Sequence, residues 1–273
     1  MKPLAVLCCL VPALAIPARA DGRPDGAVPG DVRGVVQGNN AFALDLYARL
    51  RAKGGNLFCS PYSVSTALAM TSAGARGETA AQMARVLHFS LDRERLHAAF
   101  AELIREINGH GLPRDYQLSV AQSLWGDVRL PVRGEFQTLI HTNYGARLRL
   151  RDFRLAPDEA RAQINRWVAD RTNDKIKDLL HPEDIDDTTR LVLVNAIYFR
   201  AGWHEPFPKG GTNQQAVFHA AGKEVKAALM QQAKHFRYAE AEGCQVVELP
   251  FEGEELAMLV LLPRRRDGLG VVP

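Results

Sequence analysis

Residues 191–199 read Leu-Val-Leu-Val-Asn-Ala-Ile-Tyr-Phe, apolar or aromatic at every position except Asn195. A strand with one solvated face would alternate polar and apolar residues. This unbroken run instead predicts a central strand, buried on both faces. Asn195 is the anomaly in it, because a buried amide is costly unless its donors and acceptor find partners. Hydroxyls are the expected partners. Ser60 and Ser63 open a second strongly apolar segment, Pro61 to Ala73, and are the candidates to meet Asn195. Such a clasp either fixes strand register or is built to open.

Ser60-Pro61 is itself a helix start, with a side-chain acceptor at the cap and a ring in the first turn, where no N–H is needed. The helix that follows is apolar nearly all round through Val64 and Leu68, which predicts burial. Leu57 to Cys59 reads as a short strand before it. Asn39 and Asn40 are placed to cap an earlier helix carrying Phe42, Leu46 and Leu50 four apart. Further helices are predicted over about 78–87, over 93–108 with Gly109 as its stop, over 134–144 ended by Gly145, and from Pro157 with Ile164, Trp167 and Val168 inward. Tyr116–Trp125 and Arg147–Phe153 alternate as strands. Beyond Phe199 come short strands around Phe218, at Val225–Met230, Cys244–Phe251 and Leu256–Leu262. Helices first and hairpins later argue for an α+β fold.

The 273 residues are 47% hydrophobic and 24% charged, enough for a substantial core. Enzyme signatures are missing: there is no G-x-S-x-G elbow, no H-E-x-x-H and no phosphate-binding G-x-x-x-x-G-K. Gly74-Ala75-Arg76-Gly77 is a turn between helices. The acidic cluster Glu183, Asp184, Asp186 and Asp187 lacks the spacing of a calcium loop and reads as a solvated turn. The eight histidines have no second ligand at i+3 or i+4. No catalytic residue, metal or cofactor is expected.

Residues 1–20 have the layout of a secretory signal peptide: Lys2, an apolar stretch from Leu4 to Ile16, and Ala18-Arg19-Ala20 as the cleavage site. Cys8 and Cys9 raise a lipoprotein signal as the alternative, but they lie within the apolar stretch and Ala20 is the better cut. Export is the expectation, to the extracellular space or to a periplasm, with no membrane anchor. Residues 21–38, rich in Gly, Pro and Asp, read as a flexible lead-in. Removing the signal leaves 32 basic residues from the original 34, against 31 acidic ones, so the mature charge is about +1. That excludes nucleic acid as an expected partner. Cys59 and Cys244 remain, both read as buried small hydrophobes; a disulfide between them is left open.

Taken together, these segments resemble the serpin family. Asn56-Leu57-Phe58-Cys59-Ser60-Pro61-Tyr62-Ser63 followed by Ala67-Leu68-Ala69-Met70 looks like the serpin segment into helix B. Gly74 to Thr79 resembles the turn into helix C. Leu193 to Phe199 with Gly202-Trp203 and Pro206-Phe207 is similar to the central-sheet signature, and Val246 to Phe251 with Met258 to Pro263 to the sheet B hairpin. The resemblance covers residues 39–273 as one domain. It implies helices packed on a large central mixed sheet A, with additional antiparallel sheets B and C.

It also implies a mechanical function. A serpin offers a bait loop to a serine protease, or a cysteine protease, and traps the acyl-enzyme by inserting the cleaved loop into the central sheet. Ser60, Ser63 and Asn195 would then belong to the shutter where that sheet parts, and Trp203 to the breach where insertion begins. The family pattern continues past Pro273, so the reactive-site loop is expected to be absent from this chain. On that expectation the chain is an inactive, aggregation-prone fragment of a parent that is monomeric when complete, and it makes no SDS-stable protease complex. A non-inhibitory parent, serving as a carrier or chaperone, is the alternative.

Overall fold

A computed structural model of the chain describes residues 29–53, 55–109, 114–220, 223–241, 243–265 and 268. The expected signal peptide and the first part of the lead-in lie outside these residues.

Three β-sheets and six α-helices are built from the described residues. Helices α1 (Pro29–Leu50), α2 (Pro61–Ser72), α3 (Gly77–Val86) and α4 (Arg93–Ile107) precede strand β1 (Tyr116–Asp127). Then come α5 (Gly134–Tyr144), β2 (Leu148–Arg151), α6 (Pro157–Arg171) and β3 (Leu191–Ala201). Strands β4 (Asn213–Ala220), β5 (Lys223–Leu229), β6 (Arg237–Ala241), β7 (Cys244–Pro250) and β8 (Ala257–Pro263) follow.

The principal sheet has the order β2-β1-β3, with β1 parallel to β2 and antiparallel to β3. Its alternation sorts the core. Leu124, Leu118, Val120 and Leu193 pack into one cluster with Met70 of α2, Phe100 and Leu103 of α4 and Ile140 of α5. Trp125, Val194 and Ala196 pack on the opposite face against Ile164 and Val168 of α6. The sheet is thus covered on both faces, as a mixed sheet with helical crossovers requires. β4 and β5 form a separate hairpin, and β6-β7-β8 an antiparallel sheet.

The end of β1 is pinned by a buried carboxylate. Asp127 accepts from Arg129 Nε at 2.6 Å and Nη2 at 2.5 Å, and from the Phe153 backbone N–H at 3.3 Å. Arg129 also reaches Asp152 at 2.8 Å. The guanidinium beside Asp127 holds its carboxyl well below the usual carboxylate range.

The structure corrects four expectations. The lead-in is not flexible through residue 38, since α1 begins at Pro29 and Asn39 and Asn40 are interior to it. Of its glycines, Gly38 is placed for close contact: a Cβ there would stand 2.5 Å from the His88 carbonyl oxygen. Leu57–Cys59 makes no strand, and Phe58 is 91% exposed. α2 is buried on one side only, through Ser65, Thr66, Ala69 and Met70, while Val64 is exposed. Finally, β3 is an edge rather than a central strand among the described residues, because β1 is its one partner. Of its residues only Val194 and Ala196 are fully buried. The alternating strands and the remaining helices fall within about two residues of their predicted bounds, and Gly145 closes α5 in the left-handed conformation at φ 61°.

Of the described residues, Cys59 and Cys244 are free cysteines: Cys244 is buried, whereas Cys59 is half-buried.

Candidate functional site

Asn195 lies in the middle of β3, directly opposite Gln122 of β1. Antiparallel partners project to the same face, here the face covered by α2. From that position the Asn195 Nδ2 donates to the backbone carbonyl of Ser63 at 3.4 Å. Ser60, Ser63 and Asn195 are therefore brought together, but through a different contact from the one expected. The Ser60 hydroxyl accepts instead from the Ser63 N–H at 3.3 Å, capping α2. A serine at an N-cap is oriented by the orphan N–H groups of its own helix, so here its oxygen points at the helix end.

The surroundings of this contact are short of partners. Asn195 Oδ1, Gln122 Oε1, Ser65 Oγ and the Tyr62 hydroxyl are all buried without a hydrogen-bond partner. Burial pushes the Tyr62 phenol well above its ordinary pKa. One long amide–carbonyl bond thus joins sheet to helix amid four unsatisfied groups, each disfavoured in a dry site. Nothing here pairs a nucleophile with a base. Gln122 was missed from sequence, because its relation to Asn195 depends on the β1–β3 register.

Trp203 lies just past the other end of β3 and is half-buried. Its ring stacks on Phe251 at 4.7 Å and 16°, with Phe207 edge-on at 5.7 Å. The backbone forms a bridge at the same place: Glu252 N–H donates to the Gly202 carbonyl and His204 N–H to the Pro250 carbonyl. Phe199 packs edge-on against Phe251 at 5.1 Å. Trp203 thereby ties the end of β3 to the β7–β8 hairpin. It is separate from the Asn195 contact, which sits midway along the strand.

A family model described as Serpin (serine protease inhibitor) matches residues 37–272. The chain belongs to the serpin family. Among curated serpins it is 42% identical over 230 residues to the leukocyte elastase inhibitors of Bos taurus and Homo sapiens, a match covering 82% of this chain and 60% of each relative. The structure of ovalbumin from emu superposes with a TM-score of 0.81 at 32% identity, covering 87% of this chain and 65% of that one. A structure of cleaved Serpin 42Da superposes at 0.80 with 30% identity, covering 88% and 65%. The chain spans about 60% of the length of the curated relatives it matches. The fold is accordingly the α+β serpin fold, with helices on a mixed sheet A and antiparallel sheets B and C.

Proposed function

We propose that the full-length protein to which this serpin chain belongs is an inhibitor of serine-type endopeptidases, acting by cleavage of a bait loop and insertion of that loop as a strand. It is not an enzyme on this reading. The observation that carries the proposal is the match of the serpin (serine protease inhibitor) family model over residues 37–272. The Asn195–Ser63 contact lies at the middle of β3 and the Trp203–Phe251 stack just past its end, the positions this reading assigns to a shutter and a breach. The relatives named leukocyte elastase inhibitor favour an elastase-type target. The test is to incubate the full-length gene product with elastase-type serine proteases and resolve the mixture in SDS. A covalent band of summed mass supports inhibition, and cleavage without such a band overturns it.

Export is part of the same reading, resting on residues 1–20. Mass spectrometry of protein recovered from the medium or periplasm should give an N-terminus at Asp21; an intact Met1 or a lipid-modified Cys would contradict it.

A further inference from the structure

The turn from Phe251 to Leu256, between β7 and β8, passes through two successive left-handed positions, Gly253 at φ 79° and Glu254 at φ 55°. Glycine takes that conformation freely, whereas at Glu254 it carries strain. Such a residue persists where the structure around it holds it in place. On one side the turn is held by the Trp203–Phe251 bridge. On the other stands Arg114, just ahead of β1.

The Arg114 side chain is mostly covered, and its guanidinium engages three separate elements. Nη2 donates at 3.0 Å to the Glu106 carbonyl, in the last turn of α4, where carbonyls lack their full set of helical donors. Nη1 donates to the Tyr116 hydroxyl on β1 and to the Glu255 carboxylate in the turn. The Tyr116 hydroxyl donates to the same carboxylate at 3.1 Å, which closes a triangle of side chains.

Two glycines make room for this arrangement. A Cβ on Gly109 would stand 2.5 Å from Arg114 Nε, and one on Gly253 would stand 3.1 Å from Asp115 Oδ2. Residues 114 and 115 therefore lie close against both turns. An isolated exposed ion pair contributes little, but this arginine is shielded and shared among a carbonyl, a phenol and a carboxylate. The two fastenings of the turn also differ in kind. The bridge is made of stacked rings and backbone hydrogen bonds. The Arg114 contact is ionic, and Glu255 is half-exposed, so dissolved salt reaches it.

We propose that Arg114 is an ionic strap, fastening the β7–β8 turn to the end of α4 and the start of β1, and that ionic strength releases it. At low salt the strap and the Trp203 bridge both hold the turn. At high salt the strap opens and the turn loosens, while the aromatic bridge keeps it attached. The proposal does not depend on protease inhibition.

Hydrogen exchange of the full chain at about 20 mM and about 0.5 M sodium chloride tests it, a range over which the screening length falls severalfold. The readout is the amides of Phe251 and Glu254, which donate to carbonyls within the turn. Both should exchange about three- to tenfold faster at the higher salt, while the β6–β7 ladder changes little. Glu255→Gln should give the fast exchange already at low salt and remove the salt dependence, and Arg114→Gln should do the same. Glu254→Gln, whose carboxylate faces His204 instead, should retain it. Turn amides that exchange equally at both salts overturn the proposal, as does a Glu255→Gln protein whose turn still responds to salt. An equal response along the β6–β7 ladder also overturns it, because salt would then act on the fold as a whole.

Discussion

The side-chain amide of Asn195 on β3 donates to the main-chain carbonyl of Ser63 on α2 at 3.4 Å, and neither serine hydroxyl takes part. Three alanine substitutions at this site should therefore differ. Ser60→Ala removes an N-cap and should cost about 1 kcal/mol. Asn195→Ala removes a long bond together with a buried acceptor that has no partner, so the loss should stay under about 1 kcal/mol. Ser63→Ala keeps the accepting carbonyl and should be close to neutral. Urea unfolding of the three variants checks the order; a Ser63→Ala loss as large as that of Ser60→Ala would return the hydroxyl to the clasp.

Gly38 should resist the substitution that helix propensity favours. Alanine in a helix interior gains up to about 1 kcal/mol over glycine. At Gly38 the added methyl would meet the His88 carbonyl at 2.5 Å, a backbone atom that cannot step aside cheaply. At Gly34 on the same helix the nearest atom is Ser90 Oγ at 3.8 Å, ordinary contact. Gly38→Ala should lower stability by about 1–3 kcal/mol and Gly34→Ala should raise it slightly. Thermal melts of the two single variants decide this.

The glycines also explain where sequence reading stopped. Local signals carried far: Ser60-Pro61 starts α2, Gly145 ends α5, and the alternation of residues 116–125 gives β1. Gly38 misled because a glycine used for close approach has the same letter as a glycine used for flexibility. The Asn195 site was legible in its members and not in its contact. Burial marked Asn195 as needing a partner, but the choice between the Ser63 hydroxyl and its carbonyl depends on how α2 lies against β3.

Stability should fall in two steps as the solution is acidified. His97 is 2% exposed, with Nδ1 2.6 Å from the Tyr144 hydroxyl and Nε2 without a partner. Burial, helped by the nearby Arg93, pushes its pKa down to about 4. The unfolded chain protonates this histidine near 6.5 while the folded one does not, so the unfolded state binds more protons between those values. The contribution is complete above pH 6.5 and is lost as the pH falls toward 4. Asp127, also depressed, contributes above the ordinary carboxylate range and loses that contribution only at lower pH. Melting temperatures from pH 8 to 3 should show both limbs, and His97→Gln should flatten the first and leave the second. A first limb that persists in the variant assigns it to other groups.

Trp203 should matter through the ring it covers. Its stack on Phe251 closes the bridge between the end of β3 and the β7–β8 hairpin, with Phe199 and Phe207 edge-on around it. Aromatic pairs of this kind contribute about 0.5–1.5 kcal/mol beyond the area they bury. Trp203→Phe keeps a ring on Phe251 and should cost less than about 1.5 kcal/mol, whereas Trp203→Ala should cost about twice as much. The loss should be local in its first effect. The amides of His204 and Glu252, which donate across the bridge, should exchange with solvent faster in Trp203→Ala, while those in the middle of β3, held by β1 and far from the stack, keep their protection. Uniformly faster exchange along the whole of β3 would mean that Trp203 stabilises the sheet as a unit and does not specifically close its end.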